Sequence, residues 1–322
     1  MTAATPTQGA YTGSLSSWMS TLDSTLTMAR LSVPGTHDSG TQNLHSGPYH
    51  TQNFGIGKQL TDGVRFLDIR LTTNSAKNAP KSDPLQVNHG DKSCDLTFGQ
   101  VLTHCSTFLT TSPGEVIFML INDANSNTDD VVYNGFQAYL QESAWQGLFC
   151  LSPTCAQLAL SQLRGKVVLL RRFTAPDDAV LGLNLQQQPG TFDNVGWPNN
   201  YSTTFDTTTP DGQTSLYIED QFNNHDTTSK MRAVSTALDK ASGNADDGRL
   251  YLSFNSISYG KARTPYDYAW NPRKNPMNPA LQSWFQGRPG KARFGFVMLD
   301  FYNNENNNID NSNVMAVINS NF

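Results

Sequence analysis

The sequence predicts an α/β fold in which one irregular barrel of eight strands, alternating mostly with helices, takes up residues 1–322 as a single domain. Three observations carry that prediction. Short apolar runs recur along the chain, separated for the most part by segments with helical spacing. Several runs are apolar throughout, as parallel strands covered on both faces should be. The polar residues His37, Asp68, Arg70, His89, Asn122, Arg172, Asp220 and Asp300 all fall at or just past the C-terminal end of such a run. A closed barrel gathers those ends on one face, so the pattern points to a (β/α)8, TIM-like barrel with its active site there. A doubly wound open sheet is the alternative, but no Gly-rich turn follows the first strand.

Taken in order, residues 15–26 place Leu15, Trp18, Met19, Leu22 and Leu26 at helical spacing and predict an N-terminal helix that packs on the core. In LSVPGTHDSGT, Leu31 and Val33 alternate with Ser32 as a short buried strand. Pro34 should end its ladder, Gly35 allows a bend, and the turn presents His37 beside Asp38. A short helix is expected at 56–61. VRFLDIRL then alternates over 64–71, with Val64, Phe66, Asp68 and Arg70 on one face. A strand face that begins apolar and ends charged opens into a site.

The same grammar repeats. LQVNHG delivers His89 before a helix at 96–109, and EVIFMLIND delivers Asn122 and Asp123 before a helix at 131–145. GKVVLLRRF delivers Arg172, and SLYIEDQF delivers Asp220 and Phe222 before a helix at 229–240. LYLSFNS delivers Asn255, and FGFVMLDFY delivers Asp300 before a last helix at 313–318. The stretch 175–213, rich in Gln, Thr, Asn, Gly and Pro with Trp197 in its midst, reads as an extended crossover rather than a helix.

Bulk composition narrows the partners. A net charge of -5 gives no electrostatic reason to expect nucleic acid. No apolar run approaches the roughly 20 residues needed to cross a bilayer, and 1–10 carries neither the basic start nor the apolar core of a signal peptide. Charged residues are only 15% of the chain, and the 4 cysteines form two local pairs, Cys94 with Cys105 and Cys150 with Cys155. That spacing suits small disulfide loops better than zinc and points to a secreted protein, expected to be a monomer.

Taken together, VPGTHDS, VRFLDIR, VNHG, GKVVLLRRF, YIEDQF and VMLDFY resemble, in order and spacing, bacterial phosphatidylinositol-specific phospholipase C. The resemblance implies cleavage of phosphatidylinositol, at a membrane surface, to diacylglycerol and inositol 1,2-cyclic phosphate. It assigns His37 as general base, backed by Asp300, and His89 as general acid, backed by Asp38. Arg70 would hold the phosphate, with Asp68 pairing to Arg70 or touching the 2-hydroxyl. Arg172, Asp220, Phe222 and Asn122 would line the inositol pocket, Phe222 standing where the family has a tyrosine and Asn122 near the place of a lysine.

An arginine at position 70 takes the place where calcium-dependent relatives carry acidic ligands, so no metal is expected. If calcium is used, Asp38, Asp68 and Asp123 are its candidate ligands. The aromatic run Tyr259, Tyr266, Tyr268 and Trp270, in the segment after the seventh strand, is a candidate membrane-leaning loop. His45, His50, His104 and His225 lack a matching context. Two rivals stay open: a glycerophosphodiester phosphodiesterase, which needs acidic metal ligands in place of Arg70, and a non-catalytic inositol-phosphate or lipid-binding module, which would not need an intact catalytic set.

Overall fold

The computed structural model describes residues 10–124, 130–176, 180–187, 195–198, 203–304 and 311–322. Among these the strands are β1 (Ser32–Thr36), β2 (Phe66–Thr73), β3 (Leu85–His89), β4 (Lys92–Thr97), β5 (Val116–Asp123) and β6 (Phe149–Cys150). They continue with β7 (Lys166–Arg172), β8 (Leu183–Asn184), β9 (Phe205–Thr208), β10 (Ser215–Glu219), β11 (Leu250–Phe254) and β12 (Gly295–Leu299). The helices are α1 (Ile56–Thr61), α2 (Phe98–Thr111), α3 (Val131–Gln141), α4 (Leu160–Leu163), α5 (Thr227–Gly243), α6 (Pro265–Trp270), α7 (Met277–Gln286) and α8 (Ser312–Asn319).

All twelve strands belong to one sheet, whose main path runs β6-β7-β5-β2-β1-β12-β11-β10-β9. Every neighbour on that path is parallel except β9, which runs antiparallel to β10. Beyond β7 lies the parallel β8, and the single bridges Gln186–Trp197 and Val195–Thr208 lead from there toward β9. This is an irregular β/α barrel. Its interior is filled, not hollow: Phe66, Phe118 and Phe296, from three strands, meet with ring centroids 5.1–5.2 Å apart below the polar layer.

β1 does not stop at Pro34 as expected; it continues to Thr36, buried along its length. The reason is what Pro34 would have bonded. Its carbonyl still accepts from the Arg65 N–H, and the register of Gly35 with Phe66 and Thr36 with Leu67 sets the Val64 carbonyl opposite its missing donor. The Val64 carbonyl instead takes Arg65 Nη1 at 2.8 Å, and no partner is left stranded. Gly35 serves close approach, since a Cβ there would stand 2.8 Å from that of Phe66. The strand therefore carries His37 to the rim intact.

Other expectations need correction. Residues 15–26 form no α-helix: a 3-10 turn at Leu15–Thr21 buries Trp18 and Met19 and another at Met28–Arg30 buries Met28 and Ala29, a polar Ser- and Thr-rich segment being pinned by tertiary contacts. His89 ends no barrel strand; β3 and β4 form an antiparallel hairpin hung on the end of β2. The expected helix 131–145 breaks after Gln141 into a separate 3-10 turn at Ser143–Trp145.

The aromatic run is no loose loop. Tyr268 and Trp270 are buried on α6, and Tyr259, 54% exposed, is the ring that faces solvent. The four cysteines are free thiols, so neither expected bridge is formed. Burial pushes Cys94, Cys105 and Cys155 up to about 12 each, which leaves them protonated, packed as small apolar residues. Among the described residues no helix is long and apolar enough to cross a membrane.

Candidate active site

Strand register assembles the site. Arg70, Asn122 and Arg172 are paired side by side across β2, β5 and β7, so the three side chains share a face with Asp68. His37 follows β1 directly, its N–H still donating to the Leu299 carbonyl at 3.1 Å, and Asp300 follows β12. Asp123 does not join them. It pairs with Leu71, one residue beyond the Arg70–Asn122 row and therefore on the opposite face of the sheet.

The His37 ring is held from both nitrogens. Nδ1 lies 2.7 Å from Asp300 Oδ1, which fixes the tautomer. Nε2 lies 2.9 Å from Arg70 Nη2 and 3.2 Å from Asp38 Oδ2, and these two neighbours suit opposite protonation states. A guanidinium donates only to a bare nitrogen, whereas a carboxylate accepts only from a protonated one. Burial alone would lower the pKa of His37, but Asp38 and Asp300 outweigh it and raise it to about 9. The site thus favours the imidazolium turned to Asp38, while the neutral ring, accepting from Arg70, is the form that can act as a base.

Asp38 is the hub. It adopts φ 44, a left-handed conformation that Asp tolerates, and its N–H donates to Asp68 Oδ2 at 3.1 Å. Its carboxylate stands 2.7 Å from Arg70 Nε and 3.3 Å from His89 Nδ1. Burial would raise that carboxyl, yet Arg70, His89 and His37 together hold it below its usual range. Arg70 also reaches Asp68 Oδ2 at 3.3 Å.

On the far side, His89 Nδ1 donates to the Tyr49 carbonyl at 2.9 Å, which leaves Nε2 for proton transfer. Burial lowers the pKa of His89, with Asp38 opposing. The two imidazoles stand 6.3 Å apart, centroid to centroid, nearly perpendicular.

Beside them, the Arg172 guanidinium lies over the Trp197 ring at 4.5 Å. Asp220 follows β10; burial raises its carboxyl while Arg172, Lys230, His37 and Arg70 pull it down, so it belongs to the same electrostatic site. Phe222 lies two residues on, its carbonyl accepting from the Ser258 N–H at 2.9 Å.

As for a metal, His37, Asp38 and Asp68 are the described group whose ligand atoms lie within 4.8 Å of one another. A hard cation there would meet the guanidinium already pairing with both carboxylates, so the donor set fits Arg70 better than calcium. Asp123 is not in that group.

Sequence reading missed the supports. Gln52 Nε2 donates to the carbonyls of His37 and Leu299, both at 2.8 Å, stapling β1 to β12 at the rim. Asn278, from α7, donates to the Asp300 carbonyl at 2.9 Å and to that of Phe301 at 3.3 Å, where Phe301 holds φ 44. Neither sits at a strand end, so no local pattern marks them. Trp197 had one faint signal, a large aromatic alone in a polar stretch.

Residues 38–173 match the family described as phosphatidylinositol-specific phospholipase C, X domain. A 1-phosphatidylinositol phosphodiesterase of Staphylococcus aureus (strain Newman) is 27% identical over 295 residues, 88% of this chain and 87% of that protein. One from Listeria monocytogenes is 30% identical over 165 residues, 48% of this chain and 47% of that one. A solved structure of a double mutant of the S. aureus phosphatidylinositol-specific phospholipase C superposes with a TM-score of 0.80 at 24% identity, covering 96% of this chain and 97% of that one. At that identity the superposition speaks for the barrel fold.

Proposed function

From the match of residues 38–173 to the phosphatidylinositol-specific phospholipase C X domain, we propose that this chain is such a phospholipase and cleaves phosphatidylinositol to diacylglycerol and inositol 1,2-cyclic phosphate. The observation that supports this reading is a pair of imidazoles set on either side of one Asp38–Arg70 ion pair, one of them backed by Asp300 at 2.7 Å.

Neutral His37 takes the proton of the inositol 2-hydroxyl at Nε2, the nitrogen turned to Arg70. The freed oxygen attacks phosphorus, and the bond from phosphorus to the glycerol oxygen breaks as His89 delivers a proton to it. Asp300 stabilises the imidazolium that forms on His37. Arg70, charged throughout, turns its N–H groups to the phosphate oxygens, where a planar fork is worth more than a point charge. A bound phosphodiester anion also favours the protonated form of His89, against the burial that lowers its pKa in the free protein. Arg172, Asn122, Asp220 and Phe222 line the inositol side.

The same reading includes action without a metal, since Arg70 supplies the positive charge. It also includes peripheral contact with a membrane through the exposed Tyr259 and, at the rim beside His89, Tyr49. With the thiols free, the proposal of an extracellular monomer rests on the polar, weakly charged composition alone.

Phosphorus NMR of the products from phosphatidylinositol, run in excess chelator, tests it. A cyclic phosphodiester signal that grows with diacylglycerol is expected. Activity only on glycerophosphoinositol, abolished by chelator, would favour the glycerophosphodiester phosphodiesterase; binding without turnover would favour a lipid-binding module.

A further inference from the structure

Asp300 backs His37, yet its own carboxylate has little to hold it. Oδ1 meets His37 Nδ1 at 2.7 Å, and Oδ2 is buried with no hydrogen-bond partner among the described residues. A carboxylate without further bonds of its own takes its direction from the backbone that carries it. That backbone is strained where it leaves Asp300: the next residue, Phe301, is buried and holds φ 44, a left-handed conformation that a bulky side chain keeps only where its surroundings over-determine it.

The restraints come from three sides. The Phe301 N–H donates to the Thr51 carbonyl at 2.7 Å, and the Phe301 carbonyl accepts from the Trp270 indole N–H, also at 2.7 Å. Asn278, the second residue of α7, bridges two carbonyls with one amide: its Nδ2 donates to Asp300 at 2.9 Å and to Phe301 at 3.3 Å. The amide is itself oriented, because Oδ1 accepts from Asn255 Nδ2 at 3.0 Å and Nδ2 is thereby turned to the end of β12. Asp300, Phe301 and Asn278 are each 1% exposed, so bulk water would not replace a lost donor. We propose that Asn278 is a positioning residue for the general base: by tying down the carbonyls of Asp300 and Phe301 it keeps the Asp300 carboxylate aimed at His37 Nδ1. Without that amide Phe301 is freer to leave the left-handed region, Asp300 turns with it, and His37 loses the partner that fixes its tautomer. The role rests on the proposed function, in which His37 is the base and Asp300 its support.

The test uses two variants. Asn278→Asp keeps the volume and suits the first turn of a helix, but it sets an acceptor against both carbonyls; Asn278→Ala removes the donor alone. In each, kcat on phosphatidylinositol should fall about ten- to a hundredfold while KM holds within about threefold. Asp300→Ala and the Asn278→Ala/Asp300→Ala double variant complete a cycle, in which removing Asn278 should cost less than about twofold once Asp300 is gone.

Proton NMR adds a readout that needs no turnover. The proton on His37 Nδ1, facing a carboxylate oxygen at 2.7 Å, should resonate at low field in the unmodified protein, and the signal should move upfield or vanish in Asn278→Asp as it does in Asp300→Ala. An unchanged kcat in both Asn278 variants, penalties that add in the cycle, or a low-field resonance indifferent to Asn278→Asp would overturn the inference. Should Asp300→Ala itself leave kcat unchanged, the assignment of Asp300 as support for the base falls, and the role of Asn278 with it; a resonance that still moves in Asn278→Asp would then mark a structural tie only.

Discussion

The two ends of the barrel use the same ingredients, arginine against carboxylate, to opposite ends. At the N-terminal end of β2 and β5, Arg65 and Glu115 are both fully buried. The Arg65 guanidinium donates to Glu115 at 2.8 Å and to the carbonyls of Leu60, Val64 and Leu15, while Glu115 accepts from the N–H groups of Met19 and Ser20. At the C-terminal end of the same strand, Arg70 keeps about a quarter of its side chain exposed at 26%. There Asp38 Oδ2 and Asp300 Oδ2 are buried without a well-aligned hydrogen bond among the described residues. The closed end has used up its bonding capacity on structure. The open end holds some in reserve, and groups with unspent capacity are what a substrate or a travelling proton can engage.

That contrast predicts effects that separate cleanly. The largest belongs to the histidines: His37→Ala or His89→Ala should cost about 10²–10⁴ in kcat with the fold retained, as circular dichroism and steady-state turnover would report. His89→Ala should regain part of its loss on an activated aryl phosphodiester, whose leaving group needs no proton. An equal loss on both substrates would falsify the general-acid role.

Next comes the open-end arginine. Arg70→Ala should lose about 10²–10³ in turnover, the usual consequence of removing a preorganised donor to developing charge, and the unmodified enzyme should be indifferent to chelator. Arg70→Asp should recover activity, if at all, only with added calcium. Silencing of the unmodified enzyme by chelator would show instead that a cation works beside Arg70.

The closed-end arginine should behave inversely. Arg65→Ala leaves Glu115 buried and unpaired, so denaturant unfolding should show a loss of about 3–5 kcal/mol, while the molecules that remain folded keep kcat and KM. A specific loss of turnover would break the division between the two ends.

The smallest effect is in the pH dependence of stability. His37 titrates at about 9 in the folded protein against 6.5 when unfolded, so folding favours its protonated form. The stabilisation is fully present below pH 6.5 and is lost as pH rises toward 9. Unfolding free energies should show a decline over that interval that is missing in His37→Gln. Identical profiles would mean that Asp38 and Asp300 do not favour the imidazolium as their positions imply.

Much of the site could be read from the sequence because its residues obey two local rules. Strand alternation determined that Phe66, Asp68 and Arg70 share a face, and the apolar runs determined where His37, Arg172, Asp220 and Asp300 would emerge. His89 emerged as expected, although from a hairpin, since a run of five residues looks alike in a barrel strand and in an excursion from it.

What the tertiary structure alone decided is relational. Pro34 could stay inside β1 because the Arg65 guanidinium, held in place by Glu115 far along the chain, takes the Val64 carbonyl that the proline leaves unserved. Asp123 was lost to the site by a single-residue difference in facing, a matter of register with β2. The supports, Gln52, Asn278 and Trp197, came from loops and a helix start, where no periodicity announces direction. Residue type and spacing determine which groups reach the rim; which of them are then held still, and by what, depends on long-range packing that no local pattern encodes.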